Sequence, residues 1–410
     1  MDEIEVPQYF ICPISLQIMK DPVTAITGIT YDRDSIEHWL FTNKNTTYCP
    51  VTKQPLPLDS DLTPNHTLRR LIQSWCTQNA SLGIDRIPTP KPPLTKTHVL
   101  KLLKNFDDPS VQLKSLIQLE LLAAENERNR KCLLEARVPK AMILFIVDCY
   151  RKKGSIFEGL EEALSFLQFV KVPTEEINNL LAENDDIIDS LIWVLSIEVK
   201  NSIFVKSHAI LVLKRFINKV NTFVLERLKP EFFERIVKIL RKDSITQQGL
   251  CSALQVLLCA CPLGRNRLMM VEVGAVFELV EVELISQEKR ITELTFSILF
   301  HLCSCANGRA QFLSHEGSIA LLSERILKVS MDVDDRAVFI LSLISKFSAT
   351  KIVLQEMLNV GIVNKLFMLL QANHAKYLKD KAMEIIKSHS DVWKNSPCFP
   401  QTFCYESLHW

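Results

Sequence analysis

The chain has 410 residues, 47% of them apolar, a length that allows two or more domains or one extended repeat array. Its 48 basic and 47 acidic residues leave a net charge of +1, so no global charge draws it to nucleic acid or to an anionic membrane. Only 10 glycines, with leucine and isoleucine abundant in the second half, favour a mostly α-helical protein and exclude a disordered chain.

The N-terminus and the apolar runs indicate a soluble, intracellular protein. Residues 1–5 are acidic and lack the basic and then apolar pattern of a signal peptide. The longest apolar runs, 141–147 and 294–305, are shorter than a membrane span. The 12 cysteines are irregularly spaced and are expected to be reduced and mostly buried. We therefore expect a cytoplasmic protein without a membrane span, with the nucleus or a membrane surface as further locations.

Prolines punctuate the first 65 residues and leave room only for short strands, turns and one or two helices. The β-branched run 21–31 contains a turn at Gly28 and predicts a small hairpin. Asp34 or Ser35 can then cap a helix that runs to about Phe41.

Two proline-containing loops flank this helix. Residues 10–15 read Phe-Ile-Cys-Pro-Ile-Ser, and residues 49–52 read Cys-Pro-Val-Thr. Together with Trp39 on the helix, they predict a docking surface. A second helix is predicted over 65–75, with one apolar face formed by Leu68, Leu71, Ile72 and Trp75.

The ligand count of this region argues against a metal site. A structural zinc site needs Cys and His ligands in paired short spacings, but the region has no Cys-x-x-Cys pair. The five Cys and His residues are Cys12, His38, Cys49, His66 and Cys76. We expect polar side chains to hold the loops together by charge-assisted hydrogen bonds instead. The candidates are Asp32, Arg33, Asp34, Glu37, Thr52 and Lys53.

These motifs together resemble a U-box domain. The similarity lies in Phe-x-Cys-Pro-Ile-Ser-Leu-x-x-Met-x-Asp-Pro-Val at 10–23, Gly-x-Thr-Tyr-Asp-Arg at 28–33, Cys-Pro-x-Thr at 49–52 and Pro-Asn-x-x-Leu-Arg-x-x-Ile at 64–72. The resemblance implies a zinc-free, RING-like α/β fold. It also implies an E3 ubiquitin ligase that recruits a ubiquitin-charged conjugating enzyme (E2), without a cofactor, a metal or a nucleophile of its own.

The resemblance assigns roles to five residues. Ile14, Trp39 and Pro50 would form the groove that receives the E2, and Cys12 would support that surface. Lys53 would hydrogen-bond both ubiquitin and the E2. Taken singly, Ile14 and Trp39 would more often be core residues and Cys12 a small buried one; their joint spacing favours the interface.

Past this module the composition changes. We place the U-box at 5–79, a proline-rich linker at 80–97, a repeat domain at 98–390 and a C-terminal tail at 391–410. The linker carries Pro88, Pro90, Pro92 and Pro93, which favour an extended, semi-rigid spacer.

A turn before an apolar helix recurs in the repeat domain. The turns lie at Arg137, Asn184, Pro230, Gly274, Gly317 and Gly361, at intervals of 43 to 47 residues. That period suits units of two or three helices, and the units resemble armadillo repeats, less closely between Pro173 and Leu240. The order of U-box, linker and armadillo array resembles a plant class of ubiquitin ligases, which implies a role in stress or defence signalling.

We expect the repeat array and the U-box to have different functions. The third helices of the array would line a surface for a protein substrate, while self-association is expected through the U-box. A non-catalytic armadillo adaptor is the alternative. An import-receptor-like peptide binder is disfavoured, because Trp193 is followed by Ile197 where such receptors have asparagine.

No motif of a conventional active site is present, and the scattered residues His208, His301, His315 and His374 predict no second activity.

Overall fold

The computed structural model describes residues 5–42, 48–57, 60–87, 94–152, 158–170, 172–198, 201–220, 222–241, 244–286 and 288–394. The chain divides into two compact units, Met1–Thr95 and Lys96–Trp410. The four linker prolines and the tail from residue 395 onward lie outside the described residues.

The first unit combines a small sheet with two helices. Its strands are β1 (Pro22–Thr24), β2 (Thr30–Asp32) and β3 (Thr63–Pro64), and its helices are α1 (Arg33–Thr42) and α2 (His66–Gln78). The strands are antiparallel and lie in the order β2, β1, β3. The predicted hairpin and both predicted helices are confirmed; the two-residue strand β3 was not predicted.

The core of the first unit lies between the sheet and α2. Val23 and Tyr31, which face each other across the hairpin, are both fully buried, and Ile72 of α2 is buried against the same cluster. The predicted apolar face of α2 is wrong at Leu71, which is exposed. Ile72 and Cys76 instead occupy the buried side, one helical turn apart.

The second unit is entirely helical within its described residues. Its helices are α3 (Lys96–Lys104), α4 (Pro109–Glu125), α5 (Glu127–Glu135), α6 (Val138–Lys152), α7 (Leu160–Phe169), α8 (Thr174–Glu183), α9 (Asp186–Val194), α10 (Ser202–Ile217), α11 (Thr222–Glu226), α12 (Pro230–Ile239), α13 (Gln247–Ala260), α14 (Gly264–Glu272), α15 (Ala275–Ile285), α16 (Lys289–Cys303), α17 (Ala306–Ser314), α18 (Ser318–Arg325), α19 (Met331–Phe347), α20 (Lys351–Asn359), α21 (Ile362–Gln371) and α22 (Lys376–Trp393).

Every third helix of this unit contributes to one row. The row runs α4, α7, α10, α13, α16, α19 and α22, and each member packs against the next. The last five begin at intervals of 42 to 45 residues. This spacing confirms the predicted period, because one three-helix unit is added per interval. We call these seven helices the long-helix row.

An arginine recurs at the same place in two repeats, after Asn266 in α14 and after Gly308 in α17. Arg267 of α14 donates to the Cys261 and Pro262 carbonyl oxygens at 2.8 and 3.1 Å. Arg309, at the corresponding place in α17, donates to the carbonyl oxygens of Cys303 and Ser304 at 3.0 and 3.2 Å. Each arginine therefore satisfies the free carbonyl groups at the end of the preceding long helix.

The turns before the apolar helices use the left-handed backbone region where the chain reverses most tightly. Gly274 and Gly361 have φ angles of 80° and 79°, and Arg137 reaches 57° without being glycine.

No single helix of the described part is long and apolar enough to cross a bilayer. The helices Lys351–Asn359 and Ile362–Gln371 reach the required length and apolar composition only when they are taken together, and the chain bends by 63° between them.

Candidate functional site

The first predicted loop is a tight turn between two bridged residues. Ile11 and Ile18 form an antiparallel bridge that closes the loop. Inside it, the Cys12 N–H donates to the Gln17 carbonyl oxygen at 2.8 Å, and the Leu16 N–H donates to the Cys12 carbonyl oxygen at 2.9 Å. Leu16 adopts a φ of 56°, in the left-handed region.

The second predicted loop repeats this backbone. Tyr48 and Pro55 form its closing bridge. The Cys49 N–H donates to the Gln54 carbonyl oxygen at 2.8 Å, and the Lys53 N–H donates to the Cys49 carbonyl oxygen at 3.0 Å. Lys53 has a φ of 59°. The two Cys-Pro motifs of the sequence therefore form twin loops, 11–18 and 48–55, of one conformation.

Adjacent residues of β2 connect the twin loops. The backbone N–H of Asp32 donates to the Cys12 sulfur at 3.3 Å. The hydroxyl of Tyr31 is hydrogen-bonded to the Cys49 sulfur at 2.9 Å. Both cysteines are fully buried, and the role of Cys12 in supporting an E2-binding surface stays a prediction.

The hydrogen bonds around the two sulfurs change their acidity. Burial acts to raise the pKa of Cys49, but hydrogen bonds from Thr27, Thr52 and Tyr31 outweigh it and lower the pKa to about 6. The pKa of Cys12 is also lowered, because hydrogen bonds from neighbouring backbone N–H groups outweigh its burial. Burial and the bond to Cys49 raise the pKa of Tyr31. Both sulfurs therefore act as hydrogen-bond acceptors in the core.

Asp21 is the centre of the charged network. Its carboxylate lies 2.6 Å from Nε of Arg33 and 3.7 Å from Nη1 of Arg69, and Arg33 also lies 3.6 Å from Glu37. The carboxylate of Asp32 accepts two backbone N–H groups at 2.7 and 2.9 Å, and its burial raises its pKa. This network holds β1, β2, α1 and α2 together, and Asp21 and Arg69 were not predicted to belong to it.

The other predicted network members contribute less. The Thr52 N–H donates to the Cys49 sulfur at 3.4 Å. Within the described ranges, Asp34 and Lys53 form no ion pair. Charged hydrogen bonds therefore support the sheet and helices, whereas hydrogen bonds to sulfur support the loops.

Helix α1 brings Trp39 to the second loop. Its indole N–H donates to the Tyr48 carbonyl oxygen at 3.0 Å, and its ring is half-buried against the core. Ile14 of the first loop is half-buried against the same core, and Pro50 of the second loop is half-buried as well. Each of the three therefore keeps part of its apolar surface open to solvent.

The sequence reasoning missed two exposed apolar residues on the twin loops. Leu16 is 77% exposed and Val51 is 49% exposed. Lys53, which was predicted, is exposed at the position that corresponds to Leu16. The sequence signal for these positions is the similarity of two strings, Cys-Pro-Ile-Ser-Leu-Gln at 12–17 and Cys-Pro-Val-Thr-Lys-Gln at 49–54.

The four histidines singled out above, His208, His301, His315 and His374, do not form a second site. His315 and His374 each lie near a carboxylate, at 2.9 and 3.2 Å. Burial lowers the pKa of His208 and His301. Over the residues that the structure describes, no three His, Cys, Asp or Glu side chains are grouped as metal ligands.

Comparison with known proteins agrees with both units. A family model described as the U-box domain matches residues 6–81, and one described as the plant U-box protein ARM repeat region matches residues 97–408. The E3 ubiquitin-protein ligases PUB24 and PUB23 of Arabidopsis thaliana are 42% and 43% identical to the chain; the alignments cover 99% and 98% of it and 97% and 96% of those proteins.

A solved structure supports the fold. An engineered protein from the Northeast Structural Genomics Consortium has a TM-score of 0.50 at 16% identity, over 73% of this chain and 72% of that chain. The predicted mostly α fold, a small α/β U-box followed by an armadillo solenoid, is confirmed. The chain belongs to the plant U-box proteins with an armadillo-repeat region, and it is an E3 ubiquitin transferase of the U-box type.

Proposed function

We propose that the twin loops and α1 receive a ubiquitin-charged E2, with Ile14, Trp39 and Pro50 as the contact residues. The observation that carries this proposal is the bond from Trp39 to the backbone of the second loop, which fixes the helix against that loop. Leu16 and Val51 extend the same apolar surface on the loop tips. A rigid apolar surface with half-exposed anchors suits a protein partner.

The chemistry needs no nucleophile on this chain. The E2 carries ubiquitin as a thioester, and the ε-amine of a substrate lysine attacks its carbonyl carbon. An isopeptide bond forms, the E2 thiolate leaves, and the amine loses a proton. The U-box accelerates this step by holding the thioester in a reactive orientation near the lysine. Lys53, exposed beside the second loop, would donate hydrogen bonds to ubiquitin and to the E2.

The substrate protein binds to the repeat unit along the long-helix row. The row offers side chains from seven helices that pack one against the next, which suits an extended partner. Trp193 lies in α9, outside this row, so the import-receptor alternative gains no support. The remaining alternative, an adaptor without ligase activity, would need a U-box that does not bind an E2.

The cellular role is proposed on the resemblance to plant ligases alone. We propose a role in stress or defence signalling, a cytoplasmic location with access to the nucleus or the membrane surface, and self-association through the U-box. Cell fractionation and light scattering of the purified chain test the location and the self-association. Loss of the gene product should alter the response of the plant to pathogens or stress, and an unchanged response would contradict the proposed role.

Two variants test the ligase mechanism. Trp39→Ala and Ile14→Ala should each abolish ubiquitin chain formation in a reconstituted assay, with the circular dichroism melt of the U-box retained. Full activity in either variant would contradict the assignment.

A chain that ends at residue 97 should still modify itself but lose substrate choice. Continued modification of a natural target would contradict the role of the repeat unit.

A further inference from the structure

Aromatic side chains line one part of the long-helix row. Phe300 of α16 contacts Phe339 of α19, with 5.7 Å between their ring centroids. Phe339 in turn contacts Tyr377 of α22 at 6.4 Å, with the two rings only 23° from parallel. Tyr377 is 53% exposed, and the two phenylalanines are half-buried. We call Phe300, Phe339 and Tyr377 the aromatic ladder.

An arginine lies over the first ring of this ladder. The guanidinium carbon of Arg336 lies 5.2 Å from the centroid of the Phe300 ring. Among the residues that the structure describes, no Asp or Glu side chain pairs with it. The adjacent acid, Asp335, instead accepts the Tyr377 hydroxyl at 2.7 Å through each carboxylate oxygen. A guanidinium that lies over a ring and has no carboxylate partner among the described residues is suited to bind a carboxylate through two of its N–H groups.

A histidine and a second arginine lie close to Phe300 and Arg336. His301 contacts Phe300, with 5.4 Å between the ring centroids. Burial lowers the pKa of His301, and the nearby positive charges of Arg267 and Arg336 lower it further. His301 is therefore mainly neutral at pH 7 and can still donate one hydrogen bond. The local charge near Phe300 is positive because of the two arginines.

The charges on the α22 side limit what can bind. Asp332 and Asp335 both act on Tyr377, so negative charge lies close to the far end of the ladder. A doubly charged phosphate beside Arg336 would be repelled by these carboxylates more than a singly charged Asp or Glu would be. The charge pattern therefore favours a carboxylate as the occupant.

We propose that the ladder and Arg336 form a recognition site for an extended segment of the substrate protein that carries an Asp or Glu side chain next to an aromatic or aliphatic one. The acidic side chain binds the Arg336 guanidinium, and the apolar one packs on Phe339 and Tyr377. This inference rests on the proposed function and specifies the chemistry of the segment that the long-helix row selects.

Selection from a random peptide library with the full chain as bait tests the proposal. The enriched peptides should share an Asp or Glu beside an aromatic or aliphatic residue, and selection with Arg336→Gln should not enrich that pattern. Enrichment of phosphorylated peptides in preference to acidic ones would overturn the choice of occupant. A failure to enrich any pattern, or the same pattern with the variant, would overturn the site.

Affinities for an enriched peptide give a sharper test. Arg336→Gln should weaken binding by about tenfold or more. Arg336→Lys should weaken it less, because lysine keeps the positive charge but lacks the paired N–H donors of the guanidinium. The matched control is Arg290→Gln, because Arg290 lies on α16 but pairs with Glu293 at 3.5 Å. Equal losses for Arg290→Gln and Arg336→Gln would contradict the site.

The outcome separates this inference from the proposed function. If the wild-type chain modifies a substrate and Arg336→Gln modifies it equally well, the inference fails while the ligase function stands. If the wild-type chain modifies nothing with any E2, the proposed function fails. Retained self-ubiquitination by Arg336→Gln shows that the U-box is intact in the variant.

Discussion

Leu16 and Lys53 occupy the same position in two loops of the same backbone shape, with φ angles of 56° and 59°. A side chain in the left-handed region costs about 1 kcal/mol relative to the right-handed one, so neither loop adopts it without compensation. The compensation is the pair of backbone bonds that each loop forms through its cysteine. The result is an exposed side chain held in place at the tip of each loop.

Leu16→Ala should reduce ubiquitin chain formation without unfolding the protein. Leu16 is 77% exposed, so its loss removes contact surface for the E2 and little core packing. We expect a reduction of about tenfold, which corresponds to the burial of one apolar side chain in an interface. The measurement is the rate of E2 discharge in a reconstituted assay.

The control for Leu16→Ala is Leu82→Ala. Leu82 is 62% exposed in the same unit and lies outside both loops. Its replacement should leave the discharge rate unchanged. Equal rates for both variants would show that Leu16 is not a contact residue.

The Cys49 thiol should titrate with a pKa of about 6 in the folded protein, against about 8.5 in an unfolded chain. Because the pKa of Cys49 is lower in the folded protein than in the unfolded chain, its ionisation stabilises the fold in full above a pH of about 8.5. This contribution decreases as the pH falls and is lost below pH of about 6. The thiolate absorbance of the wild type minus that of Cys49→Ser measures the titration, and a midpoint close to that of a free thiol would contradict it.

A chelator should leave the U-box folded. The Cys12 and Cys49 sulfurs, which could act as metal ligands, already accept hydrogen bonds from β2. We expect the melting temperature and the self-ubiquitination rate to be the same with and without EDTA. Unfolding by the chelator, reversed by added zinc, would show instead that a metal supports the loops.

Gly308→Ala should strongly destabilise the repeat unit. A Cβ atom at Gly308 would lie 2.0 Å from the carbonyl oxygen of Leu302, at the end of the preceding long helix. Backbone must shift to admit it, so we expect a loss of about 3 kcal/mol. Thermal unfolding measures it. Gly264→Ala, at the start of α14, is the control, because its nearest neighbour would be the flexible Arg267 side chain at 3.6 Å.

Much of the fold was predictable because it depends on local patterns. The hairpin around Gly28 follows from β-branched residues and one glycine, and the repeat period follows from recurring turns. Leu71 was placed wrongly because helical periodicity alone does not say which edge of an apolar face is covered. Strand β3 was missed because two residues, one of them proline, carry no strand pattern.

The sequence named candidate residues for the site but did not predict its geometry. Ile14, Trp39 and Pro50 were found through a family resemblance, and their role in binding the E2 stays a prediction. The centre of the charged network at Asp21 was missed, because its partners Arg33 and Arg69 are distant in sequence. The left-handed backbone of Leu16 was also missed, because leucine rarely adopts it.

The short strand β2 has a consequence for how this ligase can change its E2. Tyr31 and Asp32 are neighbours in the chain, and each bonds to the sulfur of a different loop. A shift of either loop therefore moves a backbone segment on which the other loop depends. If the twin loops bind the E2 as proposed, neither loop can shift without disturbing the other. We therefore expect a new E2 preference to arise by exchange of outward-facing side chains such as Leu16 and Val51.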